Sequence, residues 1–106
     1  MSESIREIIE SAWENRELLS SAETKSAIES VVSNLDQGYL RVAEPTASGW
    51  IVNEWIKKAV ILYFPIRQME VTEAGPLEFH DKIPLKHHYN KLGVRVVPSA
   101  IAPYGA

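Results

Sequence analysis

The stretch LRVAEPTASGWIVNEWIKKAVILYF, residues 40–64, carries in order a β-prone segment, a turn, a second β-prone segment and a long apolar run. Residues 39–44 alternate apolar and polar, residues 45–49 are rich in turn formers, and residues 50–52 are aromatic and β-branched. That order predicts a hairpin. Asn53 is suited to cap the helix that follows. In EWIKKAVILYF, apolar residues fill nearly every position except Glu54, Lys57 and Lys58, so this helix is expected to be buried on most sides. It is expected to stop at Phe64, because Pro65 disfavours helical geometry in the residue before it and lacks an N–H.

Working outward toward the N-terminus, Ile5, Ile8, Ile9, Ala12 and Trp13 share one helical stripe within MSESIREIIESAWENRELL, with Ser4 and Glu7 in capping-box spacing. A second helix is expected to open on Ser20 and Glu23. Its stripe is Ala27, Ile28, Val31, Val32 and Leu35, and Gly38 stands where a left-handed residue would close it. The two stripes are expected to face each other as an antiparallel pair. Toward the C-terminus, residues 66–72 and 77–80 predict short strands around Gly75-Pro76, residues 85–92 a short helix or turn closed by Gly93, and residues 94–97 a strand. The fold class expected is α+β.

Composition bounds the function. The chain has 106 residues, 45% of them hydrophobic, and 11 Lys+Arg against 14 Asp+Glu, for a net charge of −3. This is enough for one domain with its own core. It has no cysteine, which excludes disulfides, thiolate metal sites and a cysteine nucleophile. Mild acidity without a basic stripe argues against nucleic acid as a partner. No run approaches the roughly 20 apolar residues that span a bilayer, so no membrane partner is expected. Lacking a secretory plan at its N-terminus, the chain is expected to be cytoplasmic.

Candidate chemistry is sparse. His80, His87 and His88 lack metal-ligand spacing and read as surface residues. Lys57-Lys58 has no Gly-rich loop beside it and reads as a pair of snorkelling side chains. The three tryptophans and four tyrosines read as core. No catalytic residue is identified, and no cofactor is expected to bind. Arg95 stands alone among valines; on the residues themselves it is an edge-strand side chain in water. After Gly93, Arg95 is the only charged residue, and so apolar a tail suggests the front part of a longer protein.

These blocks also carry a resemblance. Arg41-Val42-Ala43-Glu44, Gly49-Trp50, Trp55, Lys57-Lys58-Ala59-Val60 and Phe64, followed by HDKIPLK (80–86) and GVRVVP (93–98), resemble the N-terminal domain of the tetrahydrodipicolinate N-succinyltransferases of lysine and diaminopimelate synthesis. His80 departs from the aromatic usual at its position. The resemblance implies an N-terminal α/β domain over residues 1–97 and, from 98–106, the start of a left-handed parallel β-helix of hexapeptide repeats, with Ile101 inward-pointing. It also implies a homotrimer that moves a succinyl group from succinyl-CoA to the amine of 2-amino-6-oxopimelate. By the same resemblance, Arg95 holds the dicarboxylate substrate, and the coenzyme A groove lies on the β-helix. Without that part the chain is expected to be inactive, with an exposed apolar strip along residues 94–101 that favours either non-native association or a loose tail from Pro98. The competing expectation is a self-standing α/β interaction module without catalysis.

Overall fold

The structure, a computed structural model, describes residues 3–106. Expectations touching Met1 and Ser2 lie outside the described residues. Helix α1, Glu3–Glu14, turns Ile9 and Ala12 fully inward, and Ile5, Ile8 and Trp13 pack at the margin. Ser4 lies inside this helix, so it is not the N-cap that the capping-box spacing suggests. The helical run also stops earlier than expected. Asn15 is extended and its Oδ1 accepts from the Glu17 N–H at 3.2 Å, opening a separate 3-10 turn over Arg16–Ser20. A side-chain amide of this kind offers the backbone a local alternative to the helical ladder.

Ser20 ends that turn, its hydroxyl donating to the Glu17 carbonyl at 3.0 Å, and Ser21 takes the N-cap position of α2, Ala22–Asp36. The predicted Ser20 cap is therefore displaced by one residue. The α2 stripe is as expected: Ala27, Ile28, Val31 and Val32 are buried, with Leu35 at the edge. Gly38 closes the helix at φ +83°, its N–H reaching Leu35 O and the next N–H, of Tyr39, reaching Asn34 O at 2.9 Å. This satisfies last-turn carbonyls that have no intrahelical donor.

The hairpin forms, shifted along the chain. Strands β1, Ala43–Thr46, and β2, Gly49–Val52, pair antiparallel from Ala43↔Val52 to Thr46↔Gly49. Pro45 lies inside β1, which a two-stranded ribbon tolerates because each strand has a free edge. Asn53 holds the N-cap position of α3, Glu54–Ile66, but its side chain makes no cap bond. Its Nδ2 instead donates to Arg41 O at 2.7 Å and Glu44 Oε2 at 3.0 Å, tying helix to hairpin.

Helix α3 runs through Pro65 to Ile66 instead of stopping at Phe64. In the last turn proline costs only one ladder bond, and Arg67 N–H closes onto Phe64 O. Ile56, Ala59, Leu62 and Tyr63 are buried between α1 and α2, yet Ile61 and Phe64 are 49% and 48% exposed. The expectation of burial on most sides fails because only these two helices pack on α3 in number, and they cover one face. The core is thus a three-helix layer in which each helix touches the other two.

Strands β3, Glu70–Ala74, and β4, Leu77–Asp81, make a second, separate hairpin with Gly75-Pro76 at its turn. Gly75 takes φ +63°, open to glycine at no steric cost. The short helix α4 is Tyr89–Leu92, closed by Gly93 as expected. The β run at residues 94–97 is not a strand. β propensity is realised only against a partner, and among the described residues no strand lies alongside.

Candidate functional site around Arg95

Arg95 lies on a loop that leaves and returns to one neck. On the outgoing side Gly93, in the left-handed region, turns the chain away from α4, and the Val94 N–H bonds Tyr89 O at 2.9 Å. Between Val94 and Ile101 the chain makes a turn in which Ala100 N–H reaches Val97 O at 3.0 Å, with Ser99 at φ +79°. The return side is firmly joined. Lys86 N–H donates to Ala102 O at 2.9 Å, Tyr104 N–H donates to Pro84 O at 2.8 Å, and Leu85 bridges Pro103 antiparallel.

The guanidinium of Arg95 is exposed and takes part in no hydrogen bond or ion pair among the described residues. It borders an open concavity of about 450 Å³ whose other walls include Tyr89, Val94, Val97 and Ile101. The expectation of a guanidinium in water holds, but the edge strand that was to carry it is absent. Val94, Val97 and Ile101 form the expected exposed apolar strip. The expected loose tail does not extend to its last residues. Tyr104 packs on Tyr63 with ring centroids 6.5 Å apart, and the Gly105 N–H is bonded to Asp36. Burial, the first cause, pushes the Tyr63 phenol up; the nearby Arg67 opposes this in part.

Beneath the neck sits a buried ion pair that sequence reasoning missed. Lys86, only 9% exposed, donates from Nζ to Asp36 Oδ1 at 2.9 Å and to the Asp36 main-chain carbonyl at 2.7 Å. The same Oδ1 accepts from the Gly105 N–H at 2.9 Å. Burial alone would raise the Asp36 carboxyl. The hydrogen bonds from Lys86 and Gly105, with the fields of Lys86 and His88, outweigh it and hold the pKa below the ordinary value. The signal available was Lys86 in the HDKIPLK block; Asp36, 50 residues away, offers none.

The other candidates stand apart. Lys57 sits 3.7 Å from Glu54, and Lys58 pairs with Glu10 at 2.9 Å over the Trp13 ring, both structural roles as expected. Trp50 is 69% exposed and Tyr39 is exposed too, so these two aromatics are not core. His80 pairs with Val71 in the second hairpin, while His87 and His88 adjoin each other at 6.3 Å between ring centroids. Among the described residues no three His, Asp or Glu side chains gather as a metal site. No helix there is long and apolar enough to cross a membrane.

Residues 4–66 match the sequence family described as tetrahydrodipicolinate N-succinyltransferase N-terminal. A 2,3,4,5-tetrahydropyridine-2,6-dicarboxylate N-succinyltransferase of Bordetella petrii is 46% identical over 108 residues, covering 92% of this chain and 40% of the relative. The enzyme of that name from Variovorax paradoxus is 44% identical and covers 100% of this chain and 42% of its own length. That of Pseudoalteromonas translucida is 40% identical, with 96% and 41% covered. The chain therefore spans about two fifths of the length of the curated relatives it matches. An α+β domain with this match over its three-helix layer and first hairpin belongs to the tetrahydrodipicolinate N-succinyltransferase family and corresponds to its N-terminal domain.

Proposed function

We propose that this chain serves as the N-terminal domain of an acyltransferase that moves a succinyl group from succinyl-CoA to the amine of 2-amino-6-oxopimelate, the ring-opened form of tetrahydrodipicolinate, in diaminopimelate and lysine biosynthesis. In that reaction the amine nitrogen attacks the thioester carbonyl carbon, a C–N bond forms as the C–S bond breaks, and the amine proton passes to the departing thiolate. The domain's contribution is Arg95, which grips a carboxylate of the acceptor. Succinyl-CoA is a co-substrate bound on the β-helix that residues 98–106 begin, so the chain by itself transfers nothing. The whole enzyme is a cytoplasmic homotrimer.

The observation that carries this reading is the state of Arg95. A guanidinium with no partner among the described residues, set at the rim of an apolar concavity, is available for an external anion. A planar fork matches a carboxylate through two parallel hydrogen bonds, which suits an acceptor whose name carries a 2,6-dicarboxylate.

The test is steady-state kinetics of the full-length enzyme with each substrate varied in turn. Arg95→Ala removes a charge-assisted pair, so kcat/KM for the amino-acid substrate is expected to fall by roughly one to two orders of magnitude, with Arg95→Lys between it and the parent. The KM for succinyl-CoA should stay close to that of the parent. Unchanged kinetics for both substrates in Arg95→Ala would refute the assignment.

A further inference from the structure

We propose that Asp36 and Lys86 are positioning residues for Arg95: their buried pair clamps the neck of the loop bearing the guanidinium and so sets how well the site holds its dicarboxylate. The inference rests on the reading of Arg95 given above.

Among the described residues Arg95 makes no side-chain bond, so its place is fixed by its backbone. That backbone is itself lightly held, with one hydrogen bond from Val94 and one turn at residues 97–100. Its geometry is therefore inherited from the neck. There a single oxygen, Asp36 Oδ1, holds both sides: Lys86 Nζ on the outgoing side and the Gly105 N–H on the return side. The second bond of Lys86 goes to the last carbonyl of α2, at the negative end of the helix dipole. The neck is thus pinned to the C-terminus of a core helix whose preceding turn, Val31 and Val32, is fully packed.

Two features indicate geometry as the purpose. Apolar residues of similar volume are often at least as stabilising as a buried ion pair, so the pair is better explained by its directionality. Gly105 sits at φ +95°, which L side chains rarely adopt, and a Cβ there would lie 3.0 Å from Val32 Cγ1, so the return side packs closely against α2 at a position that favours glycine. Both conditions fix one register of the neck. Positioning a carboxylate fork asks for that, since a small misplacement loses its two-bond geometry.

The experiment is a double-mutant cycle in the full-length enzyme, combining Asp36→Ala and the milder Asp36→Asn with Arg95→Ala. Asp36→Ala is expected to raise KM for the amino-acid substrate about five- to tenfold and leave KM for succinyl-CoA within about twofold, with Asp36→Asn smaller in the same direction. In the Arg95→Ala background the Asp36 effect should vanish, because nothing is left for the clamp to position. If Arg95→Ala impairs acceptor binding but both Asp36 variants bind as the parent does, or if the two effects simply multiply, the positioning role is overturned. If Arg95→Ala itself is without effect, the assignment of Arg95 fails and the inference falls with it, an outcome visible in that variant alone. Asp36→Asn keeps the shape and an acceptor for Gly105, so it supplies the kinetics if Asp36→Ala does not fold.

Discussion

Replacing Lys86 by methionine isolates the energetic content of the neck. The stem volume is roughly kept, so little packing is lost. What goes is the ammonium, with its 2.9 Å bond to the Asp36 carboxylate and its 2.7 Å bond to the Asp36 carbonyl. Asp36 retains the Gly105 N–H, but its charge is left without a counterion at a site where its side chain is only 16% exposed. Removing one partner of a buried pair costs about 3–5 kcal/mol. Because the carboxylate keeps some water and one N–H, the lower end applies, and Lys86→Met is expected to cost about 3 kcal/mol. For a domain whose total stability is of order 5–15 kcal/mol, that is a large shift of the urea midpoint at nearly constant m-value. The companion variant Asp36→Asn, combined with Lys86→Met, should recover about 1–2 kcal/mol relative to the sum of the single changes, since no unpaired charge is then buried. A loss below about 1 kcal/mol for Lys86→Met, or strict additivity in the double variant, would refute the account of the clamp as a desolvated, mutually dependent pair.

The same pair predicts an acid response. The folded-state pKa of Asp36 lies below its ordinary value of 3.8, so its contribution is fully present above that value and is lost as pH falls through the lowered folded-state pKa. Thermal melts below pH 4 should therefore lose stability more steeply in the parent than in Asp36→Asn; parallel pH profiles would contradict the assignment. Gly105→Ala meets both a positive φ of +95° and the Val32 methyl at 3.0 Å, and should cost about 1–3 kcal/mol. Hydrogen exchange at the Tyr104 amide, now bonded to Pro84 O, should quicken in that variant, and unchanged protection would mean that the return side is held by something other than its fit against α2.

The legible parts of this fold are those whose physics is local. Stripes at helical spacing named Ile9, Ile28 and Val31 as core, and Gly38 marked the end of α2, because periodicity and a left-handed closing residue are properties of a few neighbouring positions. Failures begin where a partner decides. The run at 94–97 has strand-forming residues but no strand beside it, and the apolar surplus of α3 leaves Ile61 and Phe64 exposed because only one face of the helix is covered. The Asp36–Lys86 pair, 50 positions apart, follows no spacing rule.

Arg95 shows how these two kinds of information divide. Its local setting, one guanidinium among valines, predicts solvent exposure, and the structure agrees. Exposure alone does not distinguish an idle surface charge from one awaiting a ligand. The surroundings support the proposed role: among the described residues no acidic side chain engages Arg95, and the wall beside it includes Tyr89, Val94, Val97 and Ile101. An arginine with an idle surface role commonly has a neighbouring carboxylate or open water on every side, whereas apolar walls lower the local dielectric and strengthen its attraction for an anion. The same concavity is also lined by Tyr89, which carries a hydroxyl, and by Lys86, whose ammonium is bonded to Asp36. If, as proposed, Arg95 grips one carboxylate of a two-carboxylate acceptor, a substrate carrying a single carboxylate should lose less affinity on Arg95→Ala when its remaining carboxylate is the distal one. Comparing the two monocarboxylate analogues as competitive inhibitors of the parent and of Arg95→Ala would identify which end Arg95 holds; equal losses for both would mean that Arg95 acts through its long-range field instead of through a fork.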